Sequence, residues 1–470
     1  MRTIRLTALL AVLCAAVPVQ AQGRLLATAA LDGGYQDLAP RTSAPLENGV
    51  AGNLLGGLGS GLAYAGGNTF LALPDRGPNA LSYNAALDDT ASYIDRFHSL
   101  YLALAPNAPG SALPFTLTAF ATGTTLLSSR LPLAYGTGEG LGVGSGAPDL
   151  NAQDRTHYFT GRSDGFDPAR PSNWIWNARL DPESLRVSRD GRSVFISDEY
   201  GPSLYEFDRA TGRRLRAIPL PAHLAVAHPA PTGDAEIAGN TSGRLANKGM
   251  EGLAITPDGR TLVGAMQSPL IQDGGKGAGV IRLVAVDLRT GATREFAYPL
   301  TNLGTASKPK YTTVSDIVAI NGHEFLVDER DGKGLGDGSV AVFKRLYRVD
   351  LAEAPQVGGV EGAEALAARA VPKTQVVDLV EVLQAAGIPA TEIPAKIEGL
   401  AFGPDQVLDG AAVHTLFVSC DNDFLGMVTD TYHPQGAPNP SRMFVIGFTD
   451  AELPGFEPQE LEDGEGCGRR

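Results

Sequence analysis

The segment PESLRVSRDGRSVFISDEYG, residues 182–201, decides the fold of this chain. It consists of an apolar strand, the turn Asp190-Gly191, a second apolar strand and the acidic pair Asp198-Glu199. An Asp-Gly pair between two such runs is the strongest short-range signal for a β-hairpin. The segment is therefore predicted to be an antiparallel hairpin that ends in two carboxylates.

The same pattern recurs elsewhere in the chain. The copies are GSGLAYAGGNTFLALPDRG from Gly59, MEGLAITPDGRTLVGAMQS from Met250, VSDIVAINGHEFLVDERDG from Val314 and IEGLAFGPDQVLDGAAVHTLFVSCDND from Ile397. Some copies continue into a strand, an Asp-x-x-Thr-Gly turn and a further strand. Repeated units of four antiparallel strands are typical of propeller blades. We predict an all-β fold, a β-propeller of about six blades with five or seven possible, since the long interval between the first two copies has room for two units.

The predicted propeller domain spans residues 22–450 and has two interruptions. Residues 136–177 are Gly-rich and too long for a hairpin loop, which predicts an inserted loop. Residues 351–396 contain EGAEALAARAV and VVDLVEVLQAAGIP, which predict a short helical excursion before the last blade. The segment RLLATAAL from Arg24 can supply the fourth strand of that blade and close the ring. Residues 451–470 are acidic and predicted to be a disordered tail.

The first 21 residues are typical of a signal peptide. Arg2 and Arg5 precede an apolar run over residues 6–17, and small residues end at Ala21. This order predicts cleavage near Ala21 and an exported protein, periplasmic or extracellular. No later apolar run approaches the roughly 20 residues that cross a bilayer, so no membrane insertion is predicted.

The net charge of −14 argues against nucleic acid or an anionic membrane as a partner. An acidic protein of this kind suits the binding of cations, although solubility alone also explains the charge. Cys420 and Cys467 are the cysteines that remain after cleavage, and two cysteines can pair without making a disulfide framework. We expect a small-molecule partner and a protein that can be a monomer.

Alignment of the copies produces two polar columns. The first column contains Ser60, Glu183, Glu251, Ser315 and Glu398, with Asp316 beside its serine. The second column contains Asp75-Arg76, Asp198-Glu199, Gln267, Asp328-Glu329-Arg330 and Asp421-Asn422-Asp423. Equivalent positions of successive blades surround one axis in a propeller. Each column is therefore predicted to form a ring around that axis.

Several carboxylates in one ring repel one another unless they are protonated or bind a cation. Oxygen ligands without cysteine or clustered histidine favour Ca²⁺ first and Mg²⁺ or Mn²⁺ second. The predicted metal ligands are Glu183, Asp198, Glu199, Glu251, Glu398, Asp421 and Asp423. Forked arginine donors suit a phosphate or carboxylate group. The predicted catalytic residues are Glu199, Glu251, Arg76 and Arg330.

A structural role is the alternative for the same residues. Aspartate and glutamate at strand ends commonly accept hydrogen bonds from backbone amides, and Arg76 and Arg330 can equally be ion-pair partners of the ring carboxylates. Asp208 and Asp287, in the Asp-x-x-Thr-Gly turns, are predicted to be turn formers. The histidines outside these columns share no spacing typical of a catalytic triad.

Five segments together resemble a known family. They are SRDGRSVFISDEYGPSLYEFDRATGRRL, TGRSDGFDP, NKGMEGLAITPDGRTLVGAMQSPL, LPDRGPN and KIEGLAFGPD. In these the chain resembles the exported bacterial phytase-like proteins described as having esterase-like activity of phytase. The resemblance implies a phosphoesterase-like activity that depends on repeated acids, which match Glu183, Asp198, Glu199, Glu251 and Glu398. Ser184 stands where other copies have glycine, and the Ser60 and Ser315 positions also depart from the acidic pattern.

The sequence therefore predicts an exported, divalent-cation-dependent phosphoesterase or related ester hydrolase that acts on a small anionic ester. A non-catalytic ligand-binding propeller with structural ions is one alternative. A lactonase-like calcium hydrolase is another.

Overall fold

The computed structural model describes residues 23–31, 34, 36–78, 90–136, 151–153, 155–162 and 167–462. Four-stranded antiparallel sheets dominate these residues. The first sheet consists of β2 (Gly61–Tyr64), β3 (Thr69–Leu73), β4 (Arg96–Pro106) and β5 (Phe115–Leu126). The second sheet consists of β9 (Pro182–Val187), β10 (Ser193–Asp198), β11 (Ser203–Asp208) and β12 (Arg214–Ile218).

The next two sheets follow in chain order. The third sheet consists of β13 (Met250–Ile255), β14 (Thr261–Met266), β15 (Val280–Asp287) and β16 (Thr293–Pro299). The fourth sheet consists of β17 (Thr313–Ala319), β18 (Glu324–Arg330), β19 (Lys344–Asp350) and β20 (Lys373–Asp378). In each of the first four sheets, consecutive strands of the chain are neighbours. The prediction of an all-β fold built from repeated four-stranded units is confirmed.

The fifth sheet joins the two ends of the domain. It consists of β21 (Lys396–Phe402), β23 (Ala411–Asp421), β26 (Ser441–Phe448) and β1 (Arg24–Leu31), with β22 (Gln406–Leu408) paired to the start of β23. Strand β1 lies antiparallel to β26, with Thr28 opposite Phe444. The prediction that RLLATAAL supplies the fourth strand of this sheet is confirmed.

Smaller elements connect the sheets. A three-stranded sheet contains β6 (Ser128–Ser129), β7 (Ala152–Gln153) and β8 (Thr156–Tyr158), and a hairpin contains β24 (Met427–Val428) and β25 (Ala437–Pro438). The α-helices are α1 (Gly233–Gly239), α2 (Ala363–Ala367) and α3 (Leu379–Ala385). Single 3-10 turns lie at Pro40–Thr42, Ala222–Leu224, Ile271–Asp273 and Gly275–Gly277. In the part of the chain that is described, none of the helices has the length and apolar character needed to cross a membrane.

The segment predicted as a helical excursion contains α2 and α3, and it also contains β20, which completes the fourth sheet. Val376 and Val377 of β20 are buried, and Asp378 caps α3 by accepting hydrogen bonds from two backbone N–H groups of its first turn. Helix α1 was not predicted. It is short, and its main sequence signal is the cap Thr232, whose side chain accepts a hydrogen bond from the backbone of Ala235.

The first strands of the five sheets share one centre. Strand β2 contacts β9 and β21, β13 contacts β9 and β17, and β17 contacts β21. A buried ion pair lies among them, since Arg186 donates to the carboxylate of Asp316 over 2.9 Å. Arg186 also donates to the carbonyl of Leu62 in β2, and Asp316 accepts from the backbone N–H groups of Leu253 in β13 and Leu400 in β21. The pair is therefore bonded to the first strand of every one of these sheets.

The described part of the predicted tail, residues 451–462, packs against the sheets instead of being free. Leu453 is fully buried, and Phe456 packs against Phe402. The backbone N–H of Glu457 donates to Ile320, and that of Glu460 donates to Pro257. These apolar anchors explain the difference from the disordered tail expected on composition. The predicted signal peptide, residues 137–150, 154 and 163–166 of the predicted insertion, and Cys467 lie outside the described residues.

Candidate functional site

The predicted acids lie at one end of the sheets. The start of each first strand and the end of the antiparallel second strand are neighbours, so residues at both places meet at the same end. Glu183 and Glu251 each occupy the second position of a first strand, and Glu199 directly follows β10. The two columns read from the sequence are thereby brought together in space.

Asp181, Glu183 and Glu199 form the acid cluster. Their nearest carboxylate oxygens all lie within 4.8 Å of one another, and all three side chains are buried. The carboxylate of Glu183 accepts no hydrogen bond from any residue that the structure describes. Glu199 accepts a bond from the backbone N–H of Gly249 at Oε1, over 3.1 Å, whereas its buried Oε2 has no hydrogen-bond donor among the described residues.

Glu251 borders the acid cluster. Its Oε1 accepts a hydrogen bond from the side-chain amide of Gln267, and its buried Oε2 has no such donor in the described part of the chain. Burial raises the pKa of Glu183 well above the usual range, and the charge of Glu251 raises it further. Burial and then the carboxylate of Asp181 raise the pKa of Glu199 to about 8. These acids therefore hold protons near neutral pH unless a cation replaces them.

Asp181 was missed by the sequence comparison. It precedes β9 and lies two residues before the first column, where the last copy has Lys396. Both are charged and both face the same end of the sheets, because Asp181 belongs to the acid cluster and Lys396 contacts Asp421. The signal that could have found them is weak, because the other three copies have Leu58, Gly249 and Thr313 at this position.

A lysine forms ion pairs with two members of a second group of carboxylates. Oxygens of Asp75, Asp421 and Asp423 also lie within 4.8 Å of one another. The ammonium of Lys396 donates to Asp421 over 2.8 Å and contacts Asp423 as well. Burial raises the pKa of Asp421 to about 6 although Lys396 lowers it. The prediction that Asp421 and Asp423 bind a metal stays a prediction, and the lysine supplies a cation at the same oxygens.

The two predicted arginines are ion-paired within the site. Arg76 donates from Nη1 to Asp181 over 2.8 Å and lies 3.9 Å from Oε2 of Glu199. Arg330 donates to the carboxylate of Glu398 and, over 2.6 Å, to the hydroxyl of Ser315. The serine of the fourth copy thus accepts a bond from the arginine at a position where other copies have an acid.

Asp198 holds the chain beside the acid cluster. Its Oδ1 accepts from the backbone N–H groups of Asp181 and Tyr200, both over 3.1 Å, and its Oδ2 accepts from Gly201 over 3.0 Å. Both oxygens are therefore used by the backbone. This geometry favours the structural alternative for Asp198 and fixes the positions of Asp181 and Glu199.

Glu329 of the second column is directed between the third and fourth sheets. Its carboxylate accepts from the hydroxyls of Tyr298 and Thr312 and from the backbone N–H of Thr301, and it contacts Lys373. Its neighbour Asp328 is fully buried, and neither of its oxygens has a hydrogen-bond donor among the described residues. Adjacent positions of one column therefore point to different surroundings, as strand alternation requires.

The acid cluster fits a hard divalent cation. Its donors are all carboxylate oxygens, and Glu199 and the neighbouring Glu251 each have a buried oxygen that no described donor satisfies. Buried polar atoms without partners are costly, so a cation at this place would satisfy them. Calcium accepts such oxygen-only sets with flexible geometry. The side chains of Arg76 and Lys248 border the same carboxylates.

The fold and site define an all-β protein of four-stranded sheets with an acidic centre. The chain belongs to the phytase-like family, whose model is described as esterase-like activity of phytase and matches residues 53–424. A curated relative from Arthroderma benhamiae, called an uncharacterized secreted protein, is 38% identical over 109 residues, or 20% of this chain and 21% of the relative. The chain thus matches about a fifth of that relative's length.

Solved structures with low sequence identity also match. The periplasmic gluconolactonase PpgL of Pseudomonas aeruginosa is 13% identical, with 90% of this chain and 99% of that chain covered and a TM-score of 0.35. The major allergen Mala s 1 of Malassezia sympodialis is 14% identical, with 85% and 79% covered and a TM-score of 0.32. The Cps50 (Swd1) β-propeller domain of Myceliophteria thermophila is 10% identical, with 83% of each chain covered and a TM-score of 0.25.

Proposed function

We propose that this protein is an exported hydrolase of small anionic esters that uses a divalent cation, with Ca²⁺ the first choice. The cation would be held by Asp181, Glu183, Glu199 and Glu251. The single observation that carries the proposal is the pair of buried carboxylate oxygens, Oε2 of Glu199 and Oε2 of Glu251, for which no described residue supplies a hydrogen-bond donor. Family membership supports the class of reaction.

We also infer that the sheets are the blades of a five-bladed β-propeller. The support is the cycle of contacts among β2, β9, β13, β17 and β21, together with the central pair of Arg186 and Asp316. In this arrangement the acid cluster lies at one end of the axis. Residues 456–459 of the packed tail cover the other end, where they line a small cavity with Arg186.

A bound divalent cation polarises an ester oxygen and lowers the pKa of a bound water. The protein's own residues would then supply binding and proton transfer. Without the cation, the pKa of Glu199 is raised to about 8; once the cation displaced that proton, the Glu199 carboxylate would be placed to accept a proton from the attacking water. Water oxygen bonds to the central atom of the ester, the bond to the leaving oxygen breaks, and the alcohol leaves with a proton.

Arg76 and Lys248 would hold the anionic group of the substrate at the mouth. The Arg76 side chain keeps 12% of its surface exposed, and its contact with Asp181 fixes its direction. Lys248 donates to Gln267 over 2.7 Å, which leaves two of its donors for another anion. The positively charged side chains of Arg76 and Lys248 thus lie beside the acids that would hold the metal.

A non-catalytic binding propeller is the second candidate. Two ion pairs favour it, Arg330 with Glu398 and Lys396 with Asp421. In each pair a basic side chain of the protein already balances the charge of a ring acid without any substrate. Such a protein would bind the cation and hydrolyse nothing.

Hydrolysis of a panel of phosphomonoesters, phosphodiesters, carboxylate esters and lactones distinguishes the candidates. We expect turnover of an anionic ester that EDTA abolishes and Ca²⁺ restores. Glu183→Gln should lower kcat/KM at least about tenfold, since it removes one charge from the cation's ligands. The matched control is Glu381→Gln, which makes the same change at an exposed position of α3 and should retain activity. Cation binding without turnover of any ester would contradict the hydrolase and support the binding protein.

A further inference from the structure

A large cavity lies away from the acid cluster, at the outer edge of the first and second sheets. Its volume is about 910 Å³. Its walls are the end of β5, the short strands β6 and β8, the 3-10 turn Pro40–Thr42 and the turn between β11 and β12. No residue of the acid cluster lines it.

The walls carry a concentration of positive charge, and an acid lies near one of the arginines: the bond from Thr211, and also the charge of Arg213, lower the pKa of Asp208. Four arginines line the cavity, and they are Arg41, Arg130, Arg155 and Arg213. No aspartate or glutamate is among the described residues that line it. None of these arginines forms an ion pair with a carboxylate in the described part of the chain, whereas the buried Arg96, Arg186 and Arg282 each do. This concentration of arginines is unexpected in a protein whose net charge is −14.

Hydroxyl groups line the same cavity. Thr125, Ser128 and Thr156 have side-chain hydroxyls for which no hydrogen bond to a described residue is formed, and Ser128 is itself only 6% exposed. Arg41 lies over the ring of Tyr158, with 5.0 Å between its guanidinium carbon and the ring centre. Free hydroxyl donors together with arginine forks are the groups that bind tetrahedral oxyanions.

Hydrogen bonds and close packing fix the backbone around the cavity. The N–H of Ser128 donates to the carbonyl of Gly212 over 2.8 Å, and Ser128 pairs with Arg213 in a parallel bridge. Gly212 has a φ of +66°, and a Cβ there would lie 2.0 Å from the carbonyl oxygen of Leu126. Asp208 accepts bonds from the backbone and hydroxyl of Thr211, which fixes the turn that carries Arg213. The backbone that carries Arg213 is therefore fixed before any ligand binds.

We propose that this cavity binds a small polyanion that carries several phosphate groups. Four cations distributed around 910 Å³ match separated charges better than a single anion. A phosphate accepts hydrogen bonds from more directions than a planar carboxylate, so it suits donors that arrive from five different elements. The site is additional to the proposed hydrolase and does not depend on it.

Calorimetric titration of the exported chain with tripolyphosphate, in buffer free of divalent cations, tests the proposal. We expect saturable binding by the wild type that weakens when NaCl is raised. Arg41→Ala with Arg130→Ala should lower the affinity by about tenfold or more, because both side chains are exposed donors to the probe. Arg41→Lys with Arg130→Lys should retain part of the affinity, since the charge remains.

The matched control is Arg192→Ala with Arg289→Ala, which removes the same charge from exposed positions elsewhere. This variant should bind tripolyphosphate as the wild type does. The absence of saturable binding by the folded wild type would overturn the proposal. An equal loss in the control, or citrate binding as tightly as tripolyphosphate, would do so as well.

Discussion

Asp198 and Glu199 are adjacent in the chain but have different surroundings. The carboxylate of Asp198 accepts three backbone hydrogen bonds, whereas Glu199 faces the acid cluster with one oxygen unsatisfied by described donors. The sequence predicted that this pair matters and offered metal binding and structure as alternatives. The sequence could not assign the two roles, because both depend on contacts with Asp181, the residue before β9. Asp198 accepts a hydrogen bond from the backbone of Asp181, whereas Glu199 lies beside its carboxylate.

The basic residues of the site show the same limit of prediction from sequence. Arg76 and Arg330 were found because they occupy matching places in two copies, and their ion pairs were an alternative from the start. Lys396 and Asp181 were missed because each lies just outside the compared columns. Charge at one position of a repeat is visible in sequence, but its partner from another sheet is not.

His98 leads to a prediction about pH. It is fully buried in β4, its Nδ1 lies 3.0 Å from the hydroxyl of Thr124, and its Nε2 has no hydrogen-bond partner among the described residues. Burial, followed by the charge of Arg96, lowers its pKa from 6.5 to about 3. The unfolded chain therefore binds a proton at His98 below about pH 6.5, and the folded chain does not until the pH is near 3.

Stability should consequently fall as the pH is lowered through this window. Between pH 7 and pH 5 the wild type should lose about 2 kcal/mol more than His98→Gln, which cannot bind that proton. Urea unfolding at both pH values measures the difference. The control His228→Gln changes an exposed histidine and should follow the wild type. Equal losses in wild type and His98→Gln would contradict the prediction.

At the scale of elements, the hairpin turns and the apolar runs on either side of them were sufficient to predict the sheets. The interval between Ser60 and Glu183 was harder, since it appeared long enough for two units. Its described residues instead contain the long strands β4 and β5 and the small sheet of β6, β7 and β8. Strand length within a sheet is set by packing against neighbours, so spacing alone does not determine the number of units. Strand β20 was hidden because it runs directly into helix α3, so the two were read as one helical stretch.

Strand β1 should be essential to the fifth sheet. Leu26 is fully buried and packs in the same cluster as Leu58, Leu62 and Phe70. Leu26→Ala removes most of a buried side chain and leaves a cavity, so the free energy of unfolding should fall by about 3 kcal/mol. Urea denaturation monitored by circular dichroism measures it. The control Thr28→Ala, at an exposed position of the same strand, should change stability by less than about 0.5 kcal/mol. A similar small effect of Leu26→Ala would show that β1 contributes little to the core.

At the scale of the whole molecule, charge is organised along the common centre of the sheets. The ion pair of Arg186 and Asp316 is hydrogen-bonded to strands of all five sheets, although the buried Nε of Arg186 has no acceptor among the described residues. The acid cluster has no such compensation at Glu183, although Arg76 contacts two of its other members. Buried oxygens without donors, such as Oε2 of Glu199 and Oε2 of Glu251 among the described residues, are costly. The difference between these two groups is the main reason to assign a cation to the acid cluster.

Calcium titration by calorimetry, on protein first treated with EDTA, tests the central claim most directly. The wild type should bind Ca²⁺ saturably, Glu381→Gln should match it, and Glu183→Gln should bind at least about tenfold more weakly. Without calcium, Glu183→Gln should melt at the same or a higher temperature, because a neutral amide replaces a buried ionisable acid. Equal calcium affinity in wild type and Glu183→Gln, or no binding by the folded wild type, would contradict a cation at the acid cluster.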